Sequence, residues 1–249
     1  MTDVAVLVGD LEAEQLELQA ILAGVDADAW LTPTPAWGWD VRDTIAHLAD
    51  TDEMAIDTAR GGPYAINDLA QRAASTAAVT YHGVLRGRRL AGPDVGAWWA
   101  RTSADERSLL RSLPADARVP WGLGMRTPSF VTARLMETWA HGLDVRSALG
   151  IPAVDTDRLA HVAWLATRAL PYAYSVAGRA APGAPVRVEL TLPSGAAWAN
   201  GPETAADRIS GSAADYCRVF VHRRAAADTN LVIEGDAARA AISVARAFL

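Results

Sequence analysis

The stretch Thr127-Pro128-Ser-Phe-Val-Thr-Ala-Arg-Leu-Met-Glu137-Thr-Trp-Ala-His141-Gly-Leu-Asp144-Val-Arg-Ser-Ala-Leu149-Gly150 decides the reading of this chain. Thr127 followed by Pro128 is a helix start, with threonine as cap and proline in the first turn. Gly150, with Pro152 beyond it, is the matching stop. Between them the pattern is helical, and residues three and four apart share a face. Glu137, His141 and Asp144 therefore form one polar stripe, flanked by Met136, Trp139, Ala140 and Leu143. A carboxylate and an imidazole among apolar neighbours are costly to bury unless they are paired or hold a metal.

Working outward, the chain upstream reads as more helices. Val4–Ala23 places Leu7, Leu11, Leu18 and Leu22 among acidic residues and stops at Gly24. A turn-rich segment, 31–39, precedes Asp40, an N-cap with Asp43 in the capping-box position. The helix it opens runs to Arg60 and breaks at Gly61-Gly62-Pro63. Further helices are expected over Ile66–Arg89, over Val95–Leu113, and from Asp155 to Leu170, before Pro171. Long helices with short connections make a bundle.

After Ala180-Ala-Pro-Gly-Ala-Pro185, a linker, the pattern changes. Val186–Leu192 alternates apolar and polar residues as a strand does, and Pro193-Ser194-Gly195 is a turn. A helix over Ala213–His222, a short strand over Leu231–Glu234, and a closing helix from Asp236 to Phe248 follow. The expected fold class is α+β. A helical bundle over residues 1–178 precedes a small α+β domain over 185–249.

Composition narrows the function. The chain has 249 residues, 51% hydrophobic and 21% charged, which fits a soluble globular protein with a sizeable core. All of its basic residues are arginine, which removes Schiff-base chemistry and a phosphate-loop lysine. A formal charge of −6 argues against nucleic acid as a partner. The one basic run, Arg86-Gly87-Arg88-Arg89, reads as a solvated helix end. No apolar run is long enough for a membrane span. Met1-Thr2-Asp3 lacks the positive start of a signal peptide, and a lone cysteine, Cys217, forms no internal disulfide. Both point to the cytoplasm.

Two ligands at i and i+4 can hold one metal from a single helix, and a bundle supplies the third from a facing helix. The candidate is His47, beside the apolar stripe of Val41, Ile45, Leu48 and Ala55. Two histidines and a glutamate match the open ligand set of catalytic zinc, and nickel or iron(II) accept similar donors. Taken singly, Glu137 and His141 also read as a surface pair, and His47 as a core histidine. Asp144 is either an acceptor that orients a ligand or a helix-to-loop contact. Asp43 is either the same kind of acceptor or a cap. His82, His161 and His222 read as structural. The nine tryptophans read as mostly core, none of them a site residue.

At these residues the sequence resembles a known family. The runs Trp39-Asp-Val-Arg-Asp43-Thr-Ile-Ala-His47-Leu48 and Glu137-Thr-Trp-Ala-His141-Gly-Leu-Asp144-Val-Arg146 are similar to the two metal-site motifs of mycothiol-dependent maleylpyruvate isomerases. These are members of the DinB/YfiT-like metalloprotein superfamily. The resemblance covers nearly the whole chain. It implies a DinB-like four-helix bundle followed by a small sterol-carrier-like domain, the latter through Leu231-Val-Ile-Glu-Gly235-Asp236. It also implies a zinc site of His47, Glu137 and His141, and a C-terminal-domain arginine near the active site. The matching residue is Arg223, with Arg224 as the alternative, because Arg218 and His222 interrupt the family's usual apolar run.

The resemblance further implies a zinc-dependent enzyme with mycothiol, or a similar thiol, as cosubstrate. The thiol attacks an electrophilic small molecule such as an unsaturated acid, giving isomerisation or S-transfer. Cys217 is not among the proposed ligands, so the sulfur is borrowed from a soluble thiol. Three other readings use the same residues: a metal-dependent hydrolase that activates water, a biosynthetic tailoring enzyme, and a non-enzymatic metal- or lipid-binding protein. A monomer or homodimer is expected, with no nucleic acid or membrane partner.

Overall fold

The computed structural model describes residues 3–73, 75–122 and 124–247, and it divides the chain into two compact units, Met1–Ala153 and Val154–Leu249. In the first unit, α1 (Val4–Leu22) starts at Asp3, whose carboxylate accepts from the Ala5 N–H. A short 3-10 turn, Ala29–Leu31, leads to α2 (Val41–Arg60). Asp40 and Asp43 close a reciprocal capping box there, and Gly61 ends the helix in the left-handed conformation that lacks a steric penalty only for glycine.

Next come α3 (Ile66–Arg72), α4 (Thr76–Gly87) and α5 (Gly92–Ser112). A two-residue hairpin, β1 (Arg118–Val119) with β2 (Met125–Arg126), feeds α6 (Thr127–Ala148). Helices α1, α2, α5 and α6 form the four-helix bundle: α2 packs on α5 and α6, and α1 on α6 and α5. Its core includes Leu18, Trp30, Ile45, Leu48, Trp99 and Val145.

Three local expectations need correction. The single helix over Ile66–Arg89 is two helices, because Ser75 caps a new one by accepting from the Ala78 N–H. Thr127 does not cap α6: Arg126 holds that position, and the Thr127 hydroxyl donates to the Pro114 carbonyl at 2.8 Å. The basic run is not a free solvated end. Arg86 pairs with Asp50 and Glu53, and Arg88 pairs with Asp43, so both reach back to α2.

The second unit holds α7 (Leu159–Val176), β3 (Val186–Thr191), β4 (Ala197–Asn200), β5 (Asp207–Ser212), α8 (Ala213–Phe220), β6 (Val232–Glu234) and α9 (Asp236–Ser243). The sheet order is β4-β3-β5-β6, with β3 and β5 parallel and the other pairs antiparallel. Helix α7 packs on α8 and β4 and lies within this unit, whereas the sequence-based boundary of 178/185 leaves it with the bundle. It also continues through Pro171 to Val176. The missing N–H costs one helical bond, while Ala173 and Tyr174 are buried with Val244 in the last turns. The closing helix ends at Ser243, and its expected end at Phe248 lies outside the described residues. No helix among the described residues is long and apolar enough to cross a membrane.

Candidate metal centre

Helix α6 contributes Glu137 and His141, and α2 contributes His47. His47 Nε2 and His141 Nε2 each lie 3.6 Å from the same atom, Glu137 Oε2. One donor atom from each residue falls within 4.8 Å of the other two. Ligands about 2.0–2.1 Å from a tetrahedral ion stand about 3.3 Å apart, so this spacing fits a first-row divalent metal with minor adjustment. Two imidazoles and a carboxylate suit zinc, and suit nickel or iron(II) nearly as well.

Both histidines are buried and Glu137 is partly buried. Burial is the largest influence on His47 and moves its pKa down, keeping the ring neutral with its lone pairs available. Burial alone would raise Glu137. The His47 imidazole, followed by His141 and the Arg134 charge, outweighs it and holds the carboxyl down to about 2. The set therefore offers one anion at Glu137 and a neutral imidazole at His47, donor types that a divalent metal requires.

The residues around the triad differ in what they do. Asp144 Oδ2 accepts from His141 Nδ1–H at 3.1 Å, which leaves Nε2 turned to Glu137. Asp43 does not orient His47. Its carboxylate accepts from the Asp40 N–H and from the Arg88 guanidinium, and His47 Nδ1 is buried without a hydrogen-bond partner among the described residues. In the second unit, Arg223 Nη1 donates to the Val221 carbonyl at 2.6 Å, and Arg224 pairs with Asp215 at 2.6 Å. Together with His222 they border a groove of about 740 Å³ floored by Val219, Ile242 and Ala245. His222 has φ +57°, a left-handed conformation costly for a residue with a Cβ, and its Nε2 meets the Ala245 carbonyl at 2.8 Å.

Two residues beside the triad were given no site role in the sequence reading, although Trp39 opens the run that resembles a metal-site motif. Trp39, read there as core, has its ring centroid 5.1 Å from that of His47 and 6.0 Å from that of His141, nearly parallel to the latter at 25°. Arg134 is buried one turn before Glu137 and bonds Glu106 at 2.8 Å and Asp52 at 2.6 Å. The signal for Arg134 was in the spacing, since residues 134, 137, 141 and 144 fall on one helical stripe. Trp39 had no periodic signal, only its place at the head of the motif-like run, because a bend in the chain brings it to the site.

Comparison with known proteins agrees with this architecture. The profile described as "Mycothiol maleylpyruvate isomerase N-terminal domain" matches residues 11–146. Two uncharacterized proteins of Mycobacterium tuberculosis, from strains CDC 1551 / Oshkosh and ATCC 25618 / H37Rv, are each 36% identical over 249 residues, covering 100% of this chain and 97% of theirs. The crystal structure of the mycothiol-dependent maleylpyruvate isomerase superposes with a TM-score of 0.61 at 16% identity, over 93% of each chain. A histidine-to-alanine mutant of that isomerase gives 0.60 at 15% identity, over 92% of this chain and 93% of the mutant. At such identity these two structures speak for the fold, and the profile, spanning more than half of the sequence, speaks for descent. The chain belongs to the mycothiol-dependent maleylpyruvate isomerase family, a family of thiol-dependent isomerases.

Proposed function

We propose that this protein is a zinc-dependent enzyme of the cytosol that borrows a small thiol of the mycothiol kind and uses it to isomerise an unsaturated acid. The observation that carries the reading is the triad: two imidazole nitrogens converge on one carboxylate oxygen at 3.6 Å each. When bound, the metal supplies Lewis acidity that keeps a thiol deprotonated near neutral pH. The chain's own cysteine is a poor substitute. Cys217 is fully buried in α8, its Sγ lies 3.6 Å from the Leu159 carbonyl, and burial pushes its pKa far up. A buried neutral thiol is unreactive. The cytosol, where small thiols are kept reduced, is the matching location.

The protein's residues then have separate tasks. His47, Glu137 and His141 would hold the metal beside which the thiol is activated. Asp144 fixes the His141 ring. Arg223, the residue that the family resemblance offers, holds a substrate carboxylate, a task suited to a planar guanidinium, with Arg224 as the alternative. The reaction balances without an oxidant. A C–S bond forms at the alkene, the π pair moves onto a conjugated carbonyl, and the chain rotates about the bond that has become single. The returning pair expels the thiolate and restores the alkene in the other geometry. If the sulfur stays and a proton is taken up instead, the product is a thiol conjugate.

Metal analysis and a cobalt-substituted sample test the reading together. Wild-type protein should hold stoichiometric divalent metal, and His47→Ala should lose it. Adding mycothiol to the cobalt form should produce a sulfur-to-metal absorption band. Retention of metal by His47→Ala would overturn the triad, and a thiol-silent cobalt spectrum would favour water as the activated nucleophile.

A further inference from the structure

We propose that Trp39 is a specificity-determining residue, the aromatic wall of the metal site, and that it selects planar conjugated acids over saturated ones. The inference deepens the reading above and rests on it for the location of the substrate. Trp39 lies beside both ligand imidazoles, 5.1 Å and 6.0 Å between ring centroids. It cannot itself ligate, since an indole N–H is a donor with no lone pair to offer. What it gives the site is a surface, and an aromatic face prefers an offset-stacked planar partner.

The loop that carries it is built to hold that surface still. The Trp39 carbonyl accepts from the Thr34 N–H at 2.9 Å and from the Thr34 hydroxyl at 3.2 Å, and the Trp39 N–H donates to the Ala36 carbonyl at 3.0 Å. Pro33 and Asp40 form an isolated antiparallel bridge across the loop, and Val41 N–H reaches back to the Thr32 carbonyl at 3.1 Å. Arg88 adds a strut from α4, donating to the Gly38 carbonyl at 3.0 Å while pairing with Asp43 at 2.6 Å. Gly38 itself has φ +78°, the left-handed turn that separates two tryptophans with opposite fates. Trp37 is 97% exposed, while Trp39 is partly buried against the imidazoles. A loop braced on both sides of Trp39 fixes the backbone from which the indole reaches the imidazoles, which lowers the ordering cost of binding a flat molecule.

Maleate and succinate form a matched pair of probes: the same two carboxylates, joined by a planar double bond in one and a flexible single bond in the other. Calorimetric titration of the zinc-loaded protein, with no thiol present, should show wild type favouring maleate. In Trp39→Leu, an apolar side chain without a plane, that preference should fall by about 3- to 10-fold. Trp39→Phe should restore most of it, and both variants should keep their zinc. In parallel, wild type labelled with 5-fluorotryptophan should show the ¹⁹F resonance missing from Trp39→Phe shifting on addition of maleate but not of succinate. A maleate-to-succinate ratio unchanged in Trp39→Leu, a Trp39 resonance silent to maleate, or loss of zinc from Trp39→Leu would overturn the assignment. The first two would show no contact with the ligand, and the last would make the residue a prop for the histidines. Because no thiol enters these titrations, failure of the wall is distinguishable from failure of the thiol reading, which the cobalt spectrum reports separately.

Discussion

Arg134 and Glu137 lie one turn apart on α6, and the groups gathered round them are built on opposite plans. The Arg134 cluster carries its own counter-charge, although Asp52 Oδ2 is buried without a hydrogen-bond partner among the described residues. The guanidinium bonds Glu106, Asp52 and the Thr51 hydroxyl, and Gln15 approaches the second oxygen of Glu106 at 3.5 Å. The triad has one carboxylate and two imidazoles but no guanidinium bonded to it among the described residues, and His47 Nδ1 is left without a partner. One cluster carries its cation in its sequence, whereas the other has the donors and takes its cation from outside. A helix that places a metal site one turn from a buried, charge-paired ion network gains a rigid base for ligands that cannot hold each other in place.

The largest effect should come from removing the built-in cation. Arg134→Met leaves Asp52 and Glu106 buried side by side without their counter-charge. Breaking a buried pair from one side costs about 3–5 kcal/mol. Chemical denaturation should show that loss in metal-free and metal-loaded protein alike. A loss seen only in the loaded form would mean that the two clusters are one unit, and the contrast drawn above would fail.

A smaller effect separates the clusters by their response to acid. Glu137 is held at about 2, below its ordinary value of 4.5, so its charged form is favoured by folding. The stability it contributes is present above pH 4.5 and is lost as the pH falls through 4.5 toward 2, on the order of 3 kcal/mol. Asp52 is shifted the other way, pushed well up first by burial and then by the neighbouring Glu106 carboxylate. Its contribution is present in acid and is lost as the pH rises through its raised value. The acid-side slope of stability in metal-free wild type should therefore flatten in Glu137→Gln. An identical slope in the two proteins would show that the triad carboxylate is not held in its charged form.

Much of this arrangement was legible in the sequence, and the parts that were not share a cause. The α6 stripe, the α2 capping box and the strand at 186–191 are local patterns, with period 3.6 or 2 or a cap at fixed offset, and each appears where those rules place it. Strands β4 and β5 were missed because their support is not local. Ala197-Trp-Ala-Asn200 is short, and Asp207-Arg-Ile-Ser-Gly-Ser212 has one buried apolar residue, Ile209. Pairing with β3, on either side of it, makes them strands. Of the site, the two residues on α6 and their facing histidine were readable from spacing and chemistry. Trp39 was readable only through the motif resemblance and not from spacing, because its position depends on a left-handed glycine and on Arg88, about fifty positions further along the chain.

The smallest predicted effect sharpens the contrast inside the triad itself. His141 has a carboxylate behind it, Asp144, and His47 Nδ1 has no hydrogen-bond partner among the described residues. An acceptor on the far nitrogen fixes the tautomer and raises the basicity of the ligating one, and removing such a partner costs about 10- to 100-fold in metal affinity. Asp144→Ala should weaken zinc binding by that factor in a chelator competition, and Asp144→Asn, which keeps an acceptor but loses the charge, should fall between Ala and wild type. Asp43→Asn is the control from the other histidine. Asp43 is tied to Arg88 and the α2 cap, so its loss should lower thermal stability and leave zinc affinity unchanged. Zinc affinity unchanged in both Asp144→Ala and Asp43→Asn would mean that both histidines are held by their helices alone. The triad would then owe its geometry to bundle packing and not to the carboxylate behind one ring.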